Sequence, residues 1–275
     1  MTTQPNREEE AETEVQALDL PADHYTSAEI DIQIATARRY PRAISRFKKL
    51  ALSMATDDVE TAASCFYTLP RKDKSISGPG VRLAEIVGSA WGNMRYGARV
   101  VREENGFIIA QGMAHDLETN VAIQIEVRRR ITDKYGKRYN DDMIGVTANA
   151  ACAIALRNAI FKVVPRTYVD SIYQAAKQVA IGDASTLASR RAGAIEFFGK
   201  MGVKQEQILG FLGRDAVEDI NLQDIEKLLG LKTALKDGDT TIDETFPPVP
   251  KGPKRQSEQK PAEAPANQRE PGAEG

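Results

Sequence analysis

The stretch MRYGARVVREENGFIIAQGMAHDLETNVAIQIEVRRRI, residues 94–131, decides the fold class. Its last third alternates: Val121, Ile123, Ile125 and Val127 fall on one side of an extended chain, and Ala122, Gln124, Glu126, Arg128 and Arg130 on the other. Period two is the pattern of a strand with one buried and one wet side. Asn105 and Gly106 tolerate the positive φ of a tight hairpin turn, and residues 117–120 supply a second break. Three strands are therefore expected, at 94–103, 107–116 and 122–131. They form an antiparallel meander with one packed face and one polar, basic face.

Upstream, Ile30, Ile34 and Ala37, then Ile44, Phe47, Leu50 and Ala51, recur at helical spacing. Pro41 interrupts them, so two helices are expected, the second starting near Pro41. A short helix is expected over 58–66, a polar loop punctuated by Gly and Pro over 71–80, and a helix over 81–90 ended by Trp91-Gly92-Asn93. Downstream of the meander, a polar excursion at 132–142 leads into a long helix over 142–164. The small residues at its centre, 148–155, permit close approach to a sheet. Another helix covers 168–180. From 184 onward three short helical patterns, 186–200, 204–212 and 222–236, can build a small three-helix core from residues such as Phe198, Ile208, Leu212, Ile225 and Leu228. The expected fold is α+β: a meander packed on helices, a small C-terminal helical unit and disordered termini. The expected divisions are an acidic disordered segment 1–26, a basic core 27–181, an acidic helical domain 184–240 and a disordered tail 241–275.

Charge is segregated along the 275 residues. Residues 1–30 carry net −7, 31–180 net +8 from 23 basic and 15 acidic groups, 181–250 net −4 and 251–275 net +1. A basic centre between acidic flanks suits a partner that is a polyanion. His24 and His115 are the only histidines, and Cys65 and Cys152 are isolated, which speaks against zinc and against histidine-based catalysis. No cofactor is expected. The cysteines read as reduced thiols of a cytoplasmic protein, the acidic N-terminus does not read as a secretory signal, and no run of about 18 apolar residues suggests a membrane span.

Several residue groups could carry function. Tyr135 and Tyr139 flank Lys134, Lys137 and Arg138, an arrangement suited to stacking bases beside phosphates; a packed loop fits the same pattern. The segment 77–82, Ser-Gly-Pro-Gly-Val-Arg, could present amides to a phosphate at a helix start or simply be a tight turn. It lacks the Gly-Lys-Ser/Thr ending of a nucleotide-binding loop, so no nucleotide hydrolysis is expected. Glu85, Asp116 and Glu126-Val127-Arg128 resemble the acidic set of a metal-dependent nuclease, with Arg128 where such sites use a lysine. A non-catalytic adaptor that binds an acidic protein is a third reading.

The order helix, three-stranded meander, small-residue helix with Ala155-Leu156-Arg157-Asn158-Ala159 resembles the core of the single-strand annealing proteins, the RecT, Beta, Erf and Rad-type superfamily. The stretches TARRYPR (36–42), SGPGVRLAE and GSAWGN (77–85 and 88–93), MAHDLETN (113–120) and ALRNAIFKVVP (155–165) are similar to those of phage-borne members. The resemblance implies ATP-independent annealing in homologous recombination by a homo-oligomer, ring or helical filament, that holds single-stranded DNA with its bases exposed. On that pattern Arg128 and Arg130 of the third strand and Arg157 and Lys162 of the long helix contact DNA, and Lys134, Lys137 and Arg138 cover the groove. The acidic unit at 184–240 is then expected to bind protein partners, a host single-strand-binding protein or a recombination exonuclease, in the host cytoplasm and away from membranes.

Overall fold

The structure, a computed structural model, describes residues 27–71, 74–133 and 135–246. The terminal segments expected to be disordered, 1–26 and most of the tail (247–275), lie outside the described residues. Helices α1 (Ser27–Arg39), α2 (Ile44–Ala55) and α3 (Val59–Ser64) open the chain, followed by strands β1 (Phe66–Arg71) and β2 (Lys74–Pro79) and helix α4 (Val81–Trp91). Strands β3 (Met94–Glu104), β4 (Phe107–Asp116) and β5 (Val121–Arg130) precede the long helix α5 (Asp141–Val163) and α6 (Arg166–Ile181). Helices α7 (Leu187–Lys200), α8 (Gln205–Leu212), α9 (Leu222–Lys236) and the short α10 (Ile242–Thr245) complete it. The molecule is α+β.

The meander forms as its sequence dictates. Asn105 and Gly106 take φ of 52° and 75°, the left-handed pair a two-residue hairpin turn demands. β4 is the central strand, antiparallel to both neighbours. Its even-numbered residues Ile108, Ala110, Gly112, Ala114 and Asp116 are buried, and Ile108 and Ala110 pack with Ala151 and Ala155 of α5. Gly112 is the point of closest approach: a Cβ there would lie 2.2 Å from the Ala155 carbonyl oxygen, so only glycine lets the helix backbone rest on the strand. Asn140 caps α5 by accepting a hydrogen bond of 2.9 Å from the Met143 amide.

By length and composition, helix α5 is, among the described residues, the one helix long and apolar enough to cross a membrane, although Asn149, Arg157 and Asn158 interrupt it. Fully buried Ala151, Ala155 and Ala159, with Arg157 between them, are features of a helix packed in a protein core. Its first turns are less covered, and Met143 and Val146 are 48% and 59% exposed.

Two boundaries differ from expectation. Residues 71–80, expected as a loop, are mostly strand: β1 and β2 pair from Phe66↔Pro79 to Arg71↔Lys74. Tertiary packing overrides the Gly/Pro punctuation, because Phe66 and Thr68 are buried and the Thr68 and Ser77 hydroxyls hydrogen-bond at 2.8 Å. The C-terminal core also extends past 240, since α10 delivers Phe246, 3% exposed, against Phe198 and Phe211. That unit keeps its own core and also contacts the rest of the chain. Helix α9 lies on β1, where Gly230 abuts Thr68, and the Thr233 hydroxyl donates to the Ala63 carbonyl at 3.0 Å. Leu229 packs against both the main core, which holds Phe47, Leu83, Trp91 and Ile160, and the C-terminal core.

Candidate nucleic-acid interface

The face of the sheet turned away from α5 carries most of the arginines of the meander. On β5 the alternation sets Gln124, Glu126, Arg128 and Arg130 on this side, cross-strand from Met113, Gln111, Ile109 and Phe107 of β4. On β3, Arg95 and Arg99 pair with His115 and Gln111 and share the face. A bulge between Val100 and Arg102 adds one residue to β3 and inverts the alternation there, which brings Arg102 opposite Ile109 and onto the same side. Five arginines therefore stand on one surface with two acids, Glu104 and Glu126. Arg102 is tied to both, at 3.4 Å and 3.1 Å.

Phe107 organises one corner. The guanidinium carbons of Arg128 and Arg130 lie 4.8 Å and 5.2 Å from its ring centroid, a cation–π arrangement that holds both heads in place. Arg99, Arg128 and Arg130 are exposed and enter no ion pair among the described residues.

The other residues singled out from the sequence are dispersed. Lys134 lies outside the described residues. Lys137 is exposed in a tight turn whose Asp133 carboxylate accepts hydrogen bonds from the amides of Tyr135 and Lys137, at 2.8 Å and 2.9 Å. Arg138 donates to Glu103 at 3.0 Å, on the helix side of the sheet. Tyr139 is half-buried against the cluster of Ile108, Ile131 and Ala151, which favours packing over stacking, whereas Tyr135 is 83% exposed. Lys162 is exposed in the last turn of α5, roughly 30 Å along the helix from the 132–139 turn. Arg157 is buried, its guanidinium 4.7 Å over the Tyr67 ring and 3.6 Å from Asp239. It does not join the open face, because helical periodicity turns it inward to β1 and to the end of α9.

Arg95, Arg99 and Arg102 did not stand out in the sequence. Their signal was arginine at 95 and 99, spaced for one face of a strand; the bulge hid Arg102.

The nuclease-like acids do not converge. Asp116 and Glu126 project from opposite faces of the sheet, and Glu85 is paired with Arg82 on α4. Asp116 is fully committed. It receives both terminal nitrogens of Arg42 at 2.5 Å, the Trp91 indole N–H at 3.0 Å, and the amides of Glu118 and Thr119 at 2.9 Å and 3.3 Å. Burial pushes its carboxyl up, but the Arg42 and Trp91 hydrogen bonds, the Glu118 amide and the Arg42 charge outweigh that and hold it at about 2. Glu118 accepts from the Arg42 amide and Nε at 2.8 Å and 3.1 Å and from Asn93 at 2.6 Å. The network thus joins 36–42, 88–93 and 113–120, three stretches far apart in sequence. Among the described residues no group of three or more His, Cys, Asp or Glu is placed to hold a metal ion. Burial pushes the Cys65 thiol up to about 12, against the pull of the Arg82 charge, which is the opposite of an activated nucleophile.

Comparison with known protein families, with curated proteins and with solved structures finds no match.

Proposed function

We propose that this chain binds and anneals single-stranded DNA in ATP-independent homologous recombination, as a phage-encoded protein working in the host cytoplasm. The observation that carries this reading is the open sheet face, with its five arginines and with Arg128 and Arg130 both over the Phe107 ring. A basic sheet surface can neutralise a run of phosphates while the base edges stay free to pair, which is what annealing requires. The element order supports an annealing-protein-like core. A ring or filament of copies is part of the proposal, supported by the exposed Met143 and Val146 on α5 and by two edge strands, β3 and β5, able to pair with a neighbouring chain. The acidic C-terminal unit is assigned to a protein partner, a single-strand-binding protein or an exonuclease of the host or phage.

Fluorescence anisotropy with single- and double-stranded oligonucleotides tests it. The expected result is a preference for single strands that falls with salt, and faster pairing of complementary oligonucleotides without ATP. Arg99→Ala and Arg128→Ala should each weaken binding and flatten the slope of log K against log salt by about 0.7, one phosphate contact apiece. Arg166→Ala, on α6 with its side chain 87% exposed, should change neither. Equal affinity for single and double strands, or a slope untouched by Arg99→Ala and Arg128→Ala, would remove the open face from the site.

A further inference from the structure

Helix α9 ends in a left-handed turn. Gly238 takes φ 73°, its amide donates to the Leu235 carbonyl at 3.3 Å, and the Asp239 amide donates to the Ala234 carbonyl at 2.8 Å. The turn lies on α5: a Cβ on Gly238 would sit 3.1 Å from the Cβ of Ala150. Arg157 is seven residues, two helical turns, further along the same side of α5. The Asp239 carboxylate faces its guanidinium at 3.6 Å, and Arg129, on the helix side of β5, donates to the Gly238 carbonyl. An acidic turn of the C-terminal unit thereby places carboxylate and carbonyl oxygens on two arginines of the basic core.

The contact is incomplete. The side chains of Arg157 and Asp239 are 10% and 4% exposed, yet among the described residues Nη1 and Oδ2 face only each other, at 3.6 Å, and the one hydrogen bond within reach of the guanidinium is Nε to the Asn158 side chain at 3.3 Å. A buried ion pair recovers its desolvation cost only when short, well-formed hydrogen bonds close it, and at 3.6 Å this one is long. Asp237 adds strain of the same sign: burial, then the negative charge of Asp239, push its carboxyl up to about 6, against the pull of Arg157. A phosphate brings several acceptor oxygens and matches a guanidinium in a paired geometry that this carboxylate does not reach.

We propose that Arg129 and Arg157 form a second anion site, for a nucleic-acid phosphate, which the chain's own Asp237-Gly238-Asp239 turn occupies and must leave before the site fills. The choice of a nucleic-acid phosphate rests on the functional reading above; the masking of an anion site does not.

The test compares the full chain with an Asp237→Asn/Asp239→Asn variant, using a fluorescein-labelled thirty-residue oligo-dT and, separately, inorganic pyrophosphate. The variant should bind the oligonucleotide about three- to tenfold more tightly, with a salt slope steeper by about one phosphate. Pyrophosphate should raise its Tm more than that of the wild type. If the wild type binds oligo-dT and the variant gains on neither probe, the masking proposal falls and the functional reading stands. If neither protein binds oligo-dT but the variant gains the pyrophosphate shift, the masked anion site stands and the nucleic-acid reading falls. Should the variant fail to fold, hydrogen exchange on the wild type decides. Amides at 237–246 should exchange faster with saturating oligo-dT or pyrophosphate, and unchanged protection with both overturns the proposal.

Discussion

Replacing Asp116 by asparagine keeps the shape of the side chain and removes the charge that Arg42 faces. Arg42 has its side chain 8% exposed and stacks 4.3 Å over the Trp91 ring, and without the Asp116 charge only Glu118, on its Nε, remains to balance it. The loss should therefore fall below the roughly 3–5 kcal/mol of a wholly unpaired buried charge, and urea unfolding of Asp116→Asn should show it. The same carboxylate makes an acid-sensitive contribution. Its folded value of about 2 lies below the 3.8 of an unperturbed aspartate. The stabilisation is therefore complete above about pH 4 and is lost as pH falls through 2. It is worth about 2 kcal/mol on the linkage relation. Between pH 5 and 2 the wild type should lose about that much more unfolding free energy than Asp116→Asn. A variant as acid-sensitive as the wild type would place the titration elsewhere. Nothing in the local sequence announced this network: Arg42, Trp91, Asp116 and Glu118 look like ordinary polar or aromatic residues until the fold joins three distant stretches.

At the scale of the elements, the contact between β4 and α5 turns on one absent methyl. In Gly112→Ala the new Cβ meets backbone, the Ala155 carbonyl, rather than the yielding end of a side chain. The helix must lift from the strand, at a cost of about 1–3 kcal/mol, seen as a lower midpoint in urea with an unchanged m-value. A midpoint equal to the wild type would mean that the helix shifts freely. The meander itself was legible in the sequence because its signals are local, namely the Asn105-Gly106 turn and the period-two alternation of β5. The β1–β2 hairpin was not, because what holds it comes from α9, where Gly230 covers Thr68 across more than 150 residues of chain. The open face was half legible for a related reason. Arg128 and Arg130 follow from strict alternation, whereas the bulge after Val100 breaks that rule on β3 and conceals Arg102. Arg157 entered the expected DNA contacts through the resemblance to annealing proteins, which does not say that Tyr67 and Asp239 cover it in this chain.

Across the whole molecule, the basic region and the acidic C-terminal unit keep separate hydrophobic cores and are joined through α9. Helix α9 belongs to both: Ile225, Leu228 and Leu231 fill the C-terminal core, while Gly230 and Thr233 sit on β1 and α3. Lys177 of α6 and Glu226 of α9 add an ion pair at 2.5 Å across the same seam. Burying Thr68 and the Ala63 carbonyl under α9 means that a chain cut near residue 182 would expose them, with Phe66 beside them. The two charge regions should accordingly unfold together. Calorimetry of the full chain is expected to give one transition whose calorimetric and van't Hoff enthalpies agree. A chain ending at residue 182 should lose that cooperative transition. Two resolved transitions in the full chain, or a truncated chain melting as sharply as the intact one, would show that α9 is a detachable cover. The partner binding proposed for the C-terminal unit is therefore better tested with surface substitutions on α7 and α8 than by truncation, because removing α9 uncovers the β1–β2 hairpin and breaks up the unit at once.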